Sequence, residues 1–297
     1  MYYGKGTTVF HHGKFEKATE ASTDLFSQSL HYGHGIVEGL RAYDTKLGPY
    51  IFKAKEHYDR LLGAAAKLNL QIDYNTEELT QYTYQLLEEN NILSNAYIRP
   101  MIYVGASMSL MPSTEAKVFI AAWKWAGYLD KDLLHIAWAD LRRPDPRSTY
   151  IEYKLSGHYV NYIQAMSAAR AQGYDDALML DVGGNVSQVS ASNFFYEKDG
   201  KLYTAPRGHI LPGITRSVVF DMAKTLGYEV IEKESTPEEV LQADGAFITG
   251  TSVEIKGVKA IGDHIFKTPF DETIGYELRM KYKQLVSQSQ YDTYAII

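Results

Sequence analysis

Tyr150-Ile-Glu-Tyr-Lys-Leu-Ser-Gly-His-Tyr-Val-Asn-Tyr162 places a single lysine, Lys154, between a run of extended-chain composition and a run of helical spacing. From Thr149 to Tyr153 the β-branched and aromatic residues predict a strand. Beyond Gly157, Tyr159, Tyr162, Ile163, Met166 and Ala169 recur at the spacing of a helix face. Lys154 is thus expected at a strand-to-helix junction. An ammonium surrounded by Tyr153, Tyr159 and Tyr162 loses its proton more readily than a solvated one and can serve as an imine-forming amine, which makes Lys154 the candidate catalytic residue. A snorkelling lysine at a strand end has the same local sequence, so the rest of the chain must decide.

With 297 residues the chain can bury a sizeable core and predicts about two domains. Thirty basic and thirty-six acidic side chains give a net charge of −6 with no basic block, which points to a small-molecule partner and away from nucleic acid. No apolar run approaches the length of a membrane span and no charged-then-apolar leader opens the chain, so a cytoplasmic protein is expected. The absence of cysteine excludes disulfides, thiolate metal sites and a cysteine nucleophile. His11 and His12 read as turn residues of a hairpin around Gly13, and with no third ligand at a useful spacing no metal site is expected.

Gly33, Gly35 and Gly39 nearly spell a dinucleotide fingerprint, but the spacing is wrong and close backbone packing is the better reading. Lys55 to Leu68 predicts a helix with Leu61, Leu62, Ala65 and Leu68 on one face. Arg60 lies beside that face, where an arginine held against packed side chains can grip a phosphate bidentately. Asn75 is a fitting N-cap for a second helix. Tyr97 to Val104 and Val118 to Trp125 read as strands, and period two puts Tyr97 and Arg99 on one face. The break at 127–132 divides the chain into 1–126, an interdomain loop 127–134, and 135–297, and Arg142 to Arg147 is a proline-punctuated loop. In the second part Asp199-Gly200 marks a hairpin, and Leu211-Pro-Gly-Ile-Thr-Arg216 opens a helix whose free N–H groups suit a phosphate. Phe247 to Val253 is a strand running into a small polar turn able to face an anion.

Taken in order, His31-Tyr-Gly with Glu38-Gly-Leu-Arg41, His57-Tyr-Asp-Arg-Leu61, Tyr97-Ile-Arg-Pro100, Lys154 with Gly157 and Tyr159, Ser192-Asn-Phe-Phe195, Leu211-Pro-Gly-Ile-Thr-Arg216 and Thr249-Gly-Thr-Ser-Val-Glu254 resemble the fold-type-IV pyridoxal-phosphate enzymes over almost the whole chain. The resemblance is greatest to the branched-chain amino acid aminotransferases. It implies an α/β (α+β) protein with a small α/β domain and a larger one built on a β-barrel-like core, the cofactor lying between them. It also implies that Lys154 is the Schiff-base lysine and the proton carrier. Arg60, the N–H groups of Ile214 and Thr215, and the Thr251 hydroxyl would hold the phosphate of pyridoxal 5′-phosphate, and Tyr159 would bond its phenolate oxygen. Tyr97, Arg99, Thr251 and Ser252 would receive acidic groups of substrates, while Val37, Trp125 and Tyr128 would line the side-chain pocket. Tyr32 and the loop around Ser109 would come from a partner subunit, so at least a homodimer is expected.

Two positions depart from the family's pattern. Gln188 stands thirty-four residues after Lys154, where the family has a glutamate that keeps the pyridine nitrogen protonated, and a neutral amide cannot supply that charge. Val37 stands where phenylalanine is usual. The expected activity is transfer of the amino group of a branched-chain or related aliphatic L-amino acid to 2-oxoglutarate. Gln188 motivates an alternative on the same fold, a lyase, a racemase or a D-amino acid transaminase. A non-catalytic ligand-binding relative is a third reading, against which the retained Lys154 speaks.

Overall fold

The computed structural model describes residues 3–111, 115–125, 127 and 131–288, and contacts divide the chain into two units. One is Met1–Ala126 with Tyr153–Gly157 and Val286–Ile297, the other Gly127–Glu152 with His158–Leu285. The division is not a single cut, because the segment carrying Lys154 groups with the first unit. Two backbone contacts account for this: Val37 N–H donates to the Lys154 carbonyl at 3.0 Å, and Ile36 bridges Leu155.

The first unit holds β1 (Thr8–His11), β2 (Lys14–Lys17), α1 (Gln28–Tyr32), β3 (Gly35–Val37), β4 (Leu40–Thr45), β5 (Gly48–Ile51), α2 (Ala54–Lys67), α3 (Thr76–Glu89), β6 (Ala96–Val104) and β7 (Ala116–Lys124). The expected first hairpin forms, with His12 and Gly13 at φ 45° and 87°, the left-handed pair that a two-residue turn requires. The strands make one seven-stranded sheet in the order β2-β1-β7-β6-β4-β5, with β3 on β6. Inward residues recur at helical spacing, Tyr58, Leu61 and Ala65 on α2 and Leu79, Thr83 and Leu86 on α3. The aliphatic ones pack against Phe10, Ile98, Ile102 and Ile120 of the sheet. Asn75 caps α3 as expected, in a reciprocal box with Glu78. By the two-residue period of β6, Tyr97, Arg99, Met101 and Tyr103 point away from this core.

The second unit holds β8 (Leu133–Trp138), α4 (Tyr159–Ala171), β9 (Asp176–Leu180), β10 (Val186–Val189), β11 (Asn193–Lys198), β12 (Lys201–Thr204), α5 (Ile214–Leu226), β13 (Val230–Glu232), α6 (Pro237–Val240), β14 (Gly245–Gly250), β15 (Glu254–Ile261), β16 (His264–Ile265) and, as far as Leu285, α7 (Ile274–Gln288). The order β10-β9-β8-β15-β14-β11 closes on itself through the pair Gln188↔Asn193, giving a six-stranded barrel. Closure leaves those strands without open edges, and Leu134, Ile136, Leu178, Val189, Phe194 and Ile248 belong to the core of this unit. Among the described residues no helix is long and apolar enough to cross a membrane.

Two expectations need correction. Leu133 and Leu134, placed in the interdomain loop 127–134, already belong to β8. The strand expected from Thr149 to Tyr153 does not form; the chain turns there, with Ser148 N–H on the Asp145 carbonyl, Ile151 N–H on that of Thr149 and Leu155 N–H on that of Tyr153. The last two bonds span only two residues, the signature of γ-turns. Pro144 and Pro146 remove two donors just upstream, so no strand ladder starts, and β-propensity yields to the turns that flank Lys154. The helix expected after Gly157 does form, as α4, entered through a 3₁₀ turn at Ser156–His158.

Gly33 ends α1 at φ 67°, and a Cβ on it would stand 2.8 Å from Gly157 Cα. Both sides of that contact are backbone and neither can rotate away. Gly33→Ala is expected to cost about 1–3 kcal/mol in urea unfolding and to open the segment around Lys154 to proteolysis. An unchanged midpoint and digestion pattern would show that the contact has no weight.

Candidate active site

Arg60 is held by a carboxylate from its own unit. Glu38, one residue beyond β3 and 1% exposed, accepts from Arg60 Nε at 2.6 Å through Oε1 and from Nη2 at 3.0 Å through Oε2. His57 Nδ1 lies 2.8 Å from the same Oε2, and Gly39 N–H donates to it at 3.2 Å. His57 and Arg60 stand three residues apart on α2 and so share a face. Burial alone would raise the Glu38 carboxyl, but Arg60 and His57 outweigh it and hold the group far below the ordinary carboxylate range. Burial pushes the His57 imidazole down; Glu38 pulls the other way, while Arg60 and Lys154 reinforce the burial. A neutral His57 donating from Nδ1 to an ionised Glu38 meets the needs of both. Lys154, half-buried, lies within electrostatic reach of this cluster.

Tyr97 and Arg99 share a face of β6, as the two-residue period predicts. Arg99 Nη2 donates to the Tyr97 hydroxyl at 3.1 Å, and Arg99 Nε is buried without a hydrogen-bond partner among the described residues. The rings of Trp123 and Trp125 stand 5.1 and 4.9 Å from that of Tyr97, making an aromatic wall beside the guanidinium. Gly39 passes under this wall: a Cβ on it would lie 2.1 Å from the Tyr97 hydroxyl, which accounts for the glycine. Val37 is buried at the end of β3. Tyr32 is half-exposed and donates to the Met108 carbonyl at 3.2 Å. Tyr128 lies outside the described residues.

The remaining expected residues lie on the second unit. Gln188 is buried in β10 where the register with β9 shifts. Leu211 N–H donates to Gln188 Oε1 at 3.2 Å, and Gln188 Nε2 donates to the Val189 carbonyl at 3.3 Å. A backbone N–H can only donate, so the amide oxygen is the end that faces Leu211. The Leu211 carbonyl in turn accepts from Asn193 Nδ2 at 2.9 Å, and Ser187 Oγ donates to the His209 carbonyl at 2.8 Å, which pins the loop entering α5. That helix begins at Ile214 and Thr215 with Gly213 as its N-cap, no side-chain cap and no acid in its first turn. A Cβ on Gly213 would meet Asn193 Oδ1 at 2.2 Å. Thr251 and Ser252 occupy the turn between β14 and β15, and Tyr159 opens α4 with its ring 5.6 Å from that of Tyr162.

The amino-acid sequence matches the family described as amino-transferase class IV over residues 35–261. The chain belongs to the class IV aminotransferases. It is 35% identical over 285 residues to the branched-chain-amino-acid aminotransferase of Pseudomonas aeruginosa, covering 94% of this chain and 92% of that one. It is 34% identical over 265 residues to that of Escherichia coli, covering 86% and 85%. These relations place it with the branched-chain enzymes of the family. The fold agrees: a branched-chain aminotransferase from Thermoproteus uzoniensis, solved with norvaline, superposes with a TM-score of 0.91 at 34% identity over 94% of each chain. A T.th. branched-chain aminotransferase complexed with N-(5′-phosphopyridoxyl)-L-glutamate gives 0.92 at 33% identity over 97% of each.

Class IV aminotransferases depend on pyridoxal 5′-phosphate, and the residues of this aminotransferase fit that cofactor. An uncapped thirteen-residue helix, entered through Gly213 close against Asn193, would present N–H groups to an anion. Arg60 would be a second group for the phosphate and Lys154 the amine for the aldehyde. Among the described residues no group of three or more histidine, aspartate and glutamate side chains could hold a metal ion. The Glu38–His57 support of Arg60 was not assigned from sequence; the His57–Arg60 spacing on one helix was its only visible trace. Arg143, placed in a proline-punctuated loop, is also more than that. It is 1% exposed, donates from Nη2 to the Tyr162 hydroxyl at 3.1 Å, and has Nε and Nη1 buried without partners among the described residues. A proline-rich stretch gives no sign of such burial.

Glu38 makes the acid sensitivity of the fold testable. Its carboxyl is depressed on folding, so its stabilisation is complete above the unfolded value of about 4.3 and is lost as pH falls toward the folded one. Glu38→Gln is expected to cost about 3–5 kcal/mol at neutral pH, by leaving Arg60 without its buried counter-charge. The gap between the two proteins should narrow in urea unfolding as pH drops below about 4.3. A gap constant with pH would mean that Glu38 is not the ionised partner.

Proposed function

We propose that this aminotransferase moves the amino group of a branched-chain or related aliphatic L-amino acid to 2-oxoglutarate, giving the 2-oxo acid and L-glutamate. The observation that carries this reading is the Tyr97–Arg99 pair set in an aromatic wall. Trp123, Trp125 and Tyr97 offer apolar surface to an aliphatic side chain, while the Arg99 guanidinium, with Nε unpartnered among the described residues, offers a cation to a carboxylate. A site that must accept leucine and glutamate in turn needs both. The names of the relatives point the same way.

Pyridoxal 5′-phosphate supplies an electron sink conjugated to the substrate Cα. Lys154 would hold its aldehyde through Nζ and would act as the general base and acid that moves the proton at the substrate Cα. Arg60, the N–H groups of Ile214 and Thr215, and Thr251 would hold the phosphate, and Tyr159 the phenolate oxygen. Gln188, with its oxygen committed to Leu211, would offer the ring nitrogen an N–H donor and no negative charge. Val37 and Trp125 shape the side-chain pocket, while Thr251 and Ser252 assist with substrate acid groups. A homodimer completes the reading: Leu25, Phe26, Leu30, Leu110 and Met111 are exposed on the first unit, apolar surface that a second copy would cover.

Incubation with L-leucine and 2-oxoglutarate should yield the branched 2-oxo acid and L-glutamate, with D-alanine inert; no product from L-leucine would overturn the assignment. Lys154→Ala should lose both turnover and the absorbance of lysine-bound cofactor, and borohydride fixation of the wild-type cofactor onto another lysine would refute the role. Gln188→Glu should speed Cα proton removal by about ten-fold if the restored charge recovers ~1.4 kcal/mol in the transition state. Single-turnover rates with L-leucine at saturating cofactor test this, and identical rates would show that Gln188 does not govern the ring.

A further inference from the structure

We infer that Glu38 is a positioning residue for the cofactor phosphate, acting through Arg60; this rests on the reading of Arg60 as a phosphate ligand. Glu38 is itself immobile. Its backbone N–H donates to the Pro100 carbonyl at 2.9 Å, and its carboxylate is fixed by His57 Nδ1, Gly39 N–H and two nitrogens of Arg60. The two bonds to Arg60 set the guanidinium plane and its rotation, which four free torsions would otherwise leave open. The arginine is therefore ordered before any ligand arrives, and binding does not have to order it.

The edge that Glu38 takes also decides what Arg60 can bind. Nε and Nη2 form the side of the guanidinium that pairs most readily with a planar carboxylate, and both are engaged. With that side held by Glu38, edge-on pairing with a second planar carboxylate is blocked, and a tetrahedral phosphate monoester, which does not need that edge, is the anion the pair favours. Glu38 thus keeps Arg60 for the phosphate and away from the carboxylates of amino acid substrates.

Affinities for pyridoxal 5′-phosphate and for pyridoxal, which lacks the phosphate, separate the possibilities. They are to be measured on the full chain freed of cofactor, as wild type, Glu38→Gln, Arg60→Ala and the double variant. Arg60→Ala should weaken the phosphorylated ligand by about ten- to a hundred-fold and pyridoxal hardly at all. Glu38→Gln should show the same selectivity with a loss of about ten-fold, and it should add nothing in the Arg60→Ala background. If Arg60→Ala weakens both ligands alike, the phosphate reading of Arg60 fails and the role of Glu38 falls with it. If Arg60→Ala is selective but Glu38→Gln is not, or if the two losses add, Glu38 alone is misassigned. Glu38→Asp, which keeps the charge and shortens the reach, should also lose phosphate selectivity and serves if Glu38→Gln does not fold. Failure of both to fold would make Glu38 a core residue only and overturn the proposal.

Discussion

A carboxylate that is almost fully buried has to be paired, and the Glu38 side chain draws its partners from several parts of the first unit. Arg60 and His57 come from one helix face, Gly39 from the adjoining backbone, and the Glu38 peptide is tied to Pro100 on the strand that carries Tyr97 and Arg99. One residue earlier, Val37 holds the Lys154 carbonyl. Short backbone steps from a single buried charge therefore reach the arginine, the lysine and the aromatic wall. Isolated burial of such a charge is prohibitive, so these elements are fixed together or not at all.

The second unit works by different means. Its barrel offers backbone N–H groups at an uncapped helix and an amide whose orientation is dictated by the N–H of Leu211. Neither device uses a formal charge. Directed dipoles avoid the cost of dehydrating ions, and at Gln188 a neutral amide stands in place of the acid that the family pattern leads one to expect.

Much of this was legible in the residues. Alternation and helical spacing revealed β6, β7, α2 and α3, Asn75 announced its cap, and Asp199-Gly200 its hairpin, because each depends on neighbours within a few positions. The ordered motifs carried the family and the barrel. The extended run before Lys154 misled, since aromatic and β-branched residues favour strands only when a partner strand is present, and the upstream prolines deny one. Glu38 was read as part of a motif with no role of its own. Its partners in α2 lie about twenty residues away, and no local pattern reports a contact made by tertiary packing. The reach of Arg60 was visible but its orientation was not.

The barrel is closed by the backbone pair Gln188↔Asn193. The residue proposed to address the ring nitrogen and the one that pins Leu211 thus form the seam of the fold. Ladder bonds are made by main-chain atoms and are indifferent to the side chain attached. An exchange of glutamate for glutamine at this seam would leave the main-chain pairing in place while changing the charge presented beside it. Such a position is a natural pivot for divergence, where descendants of one scaffold acquire different chemistries without having to relearn how to fold.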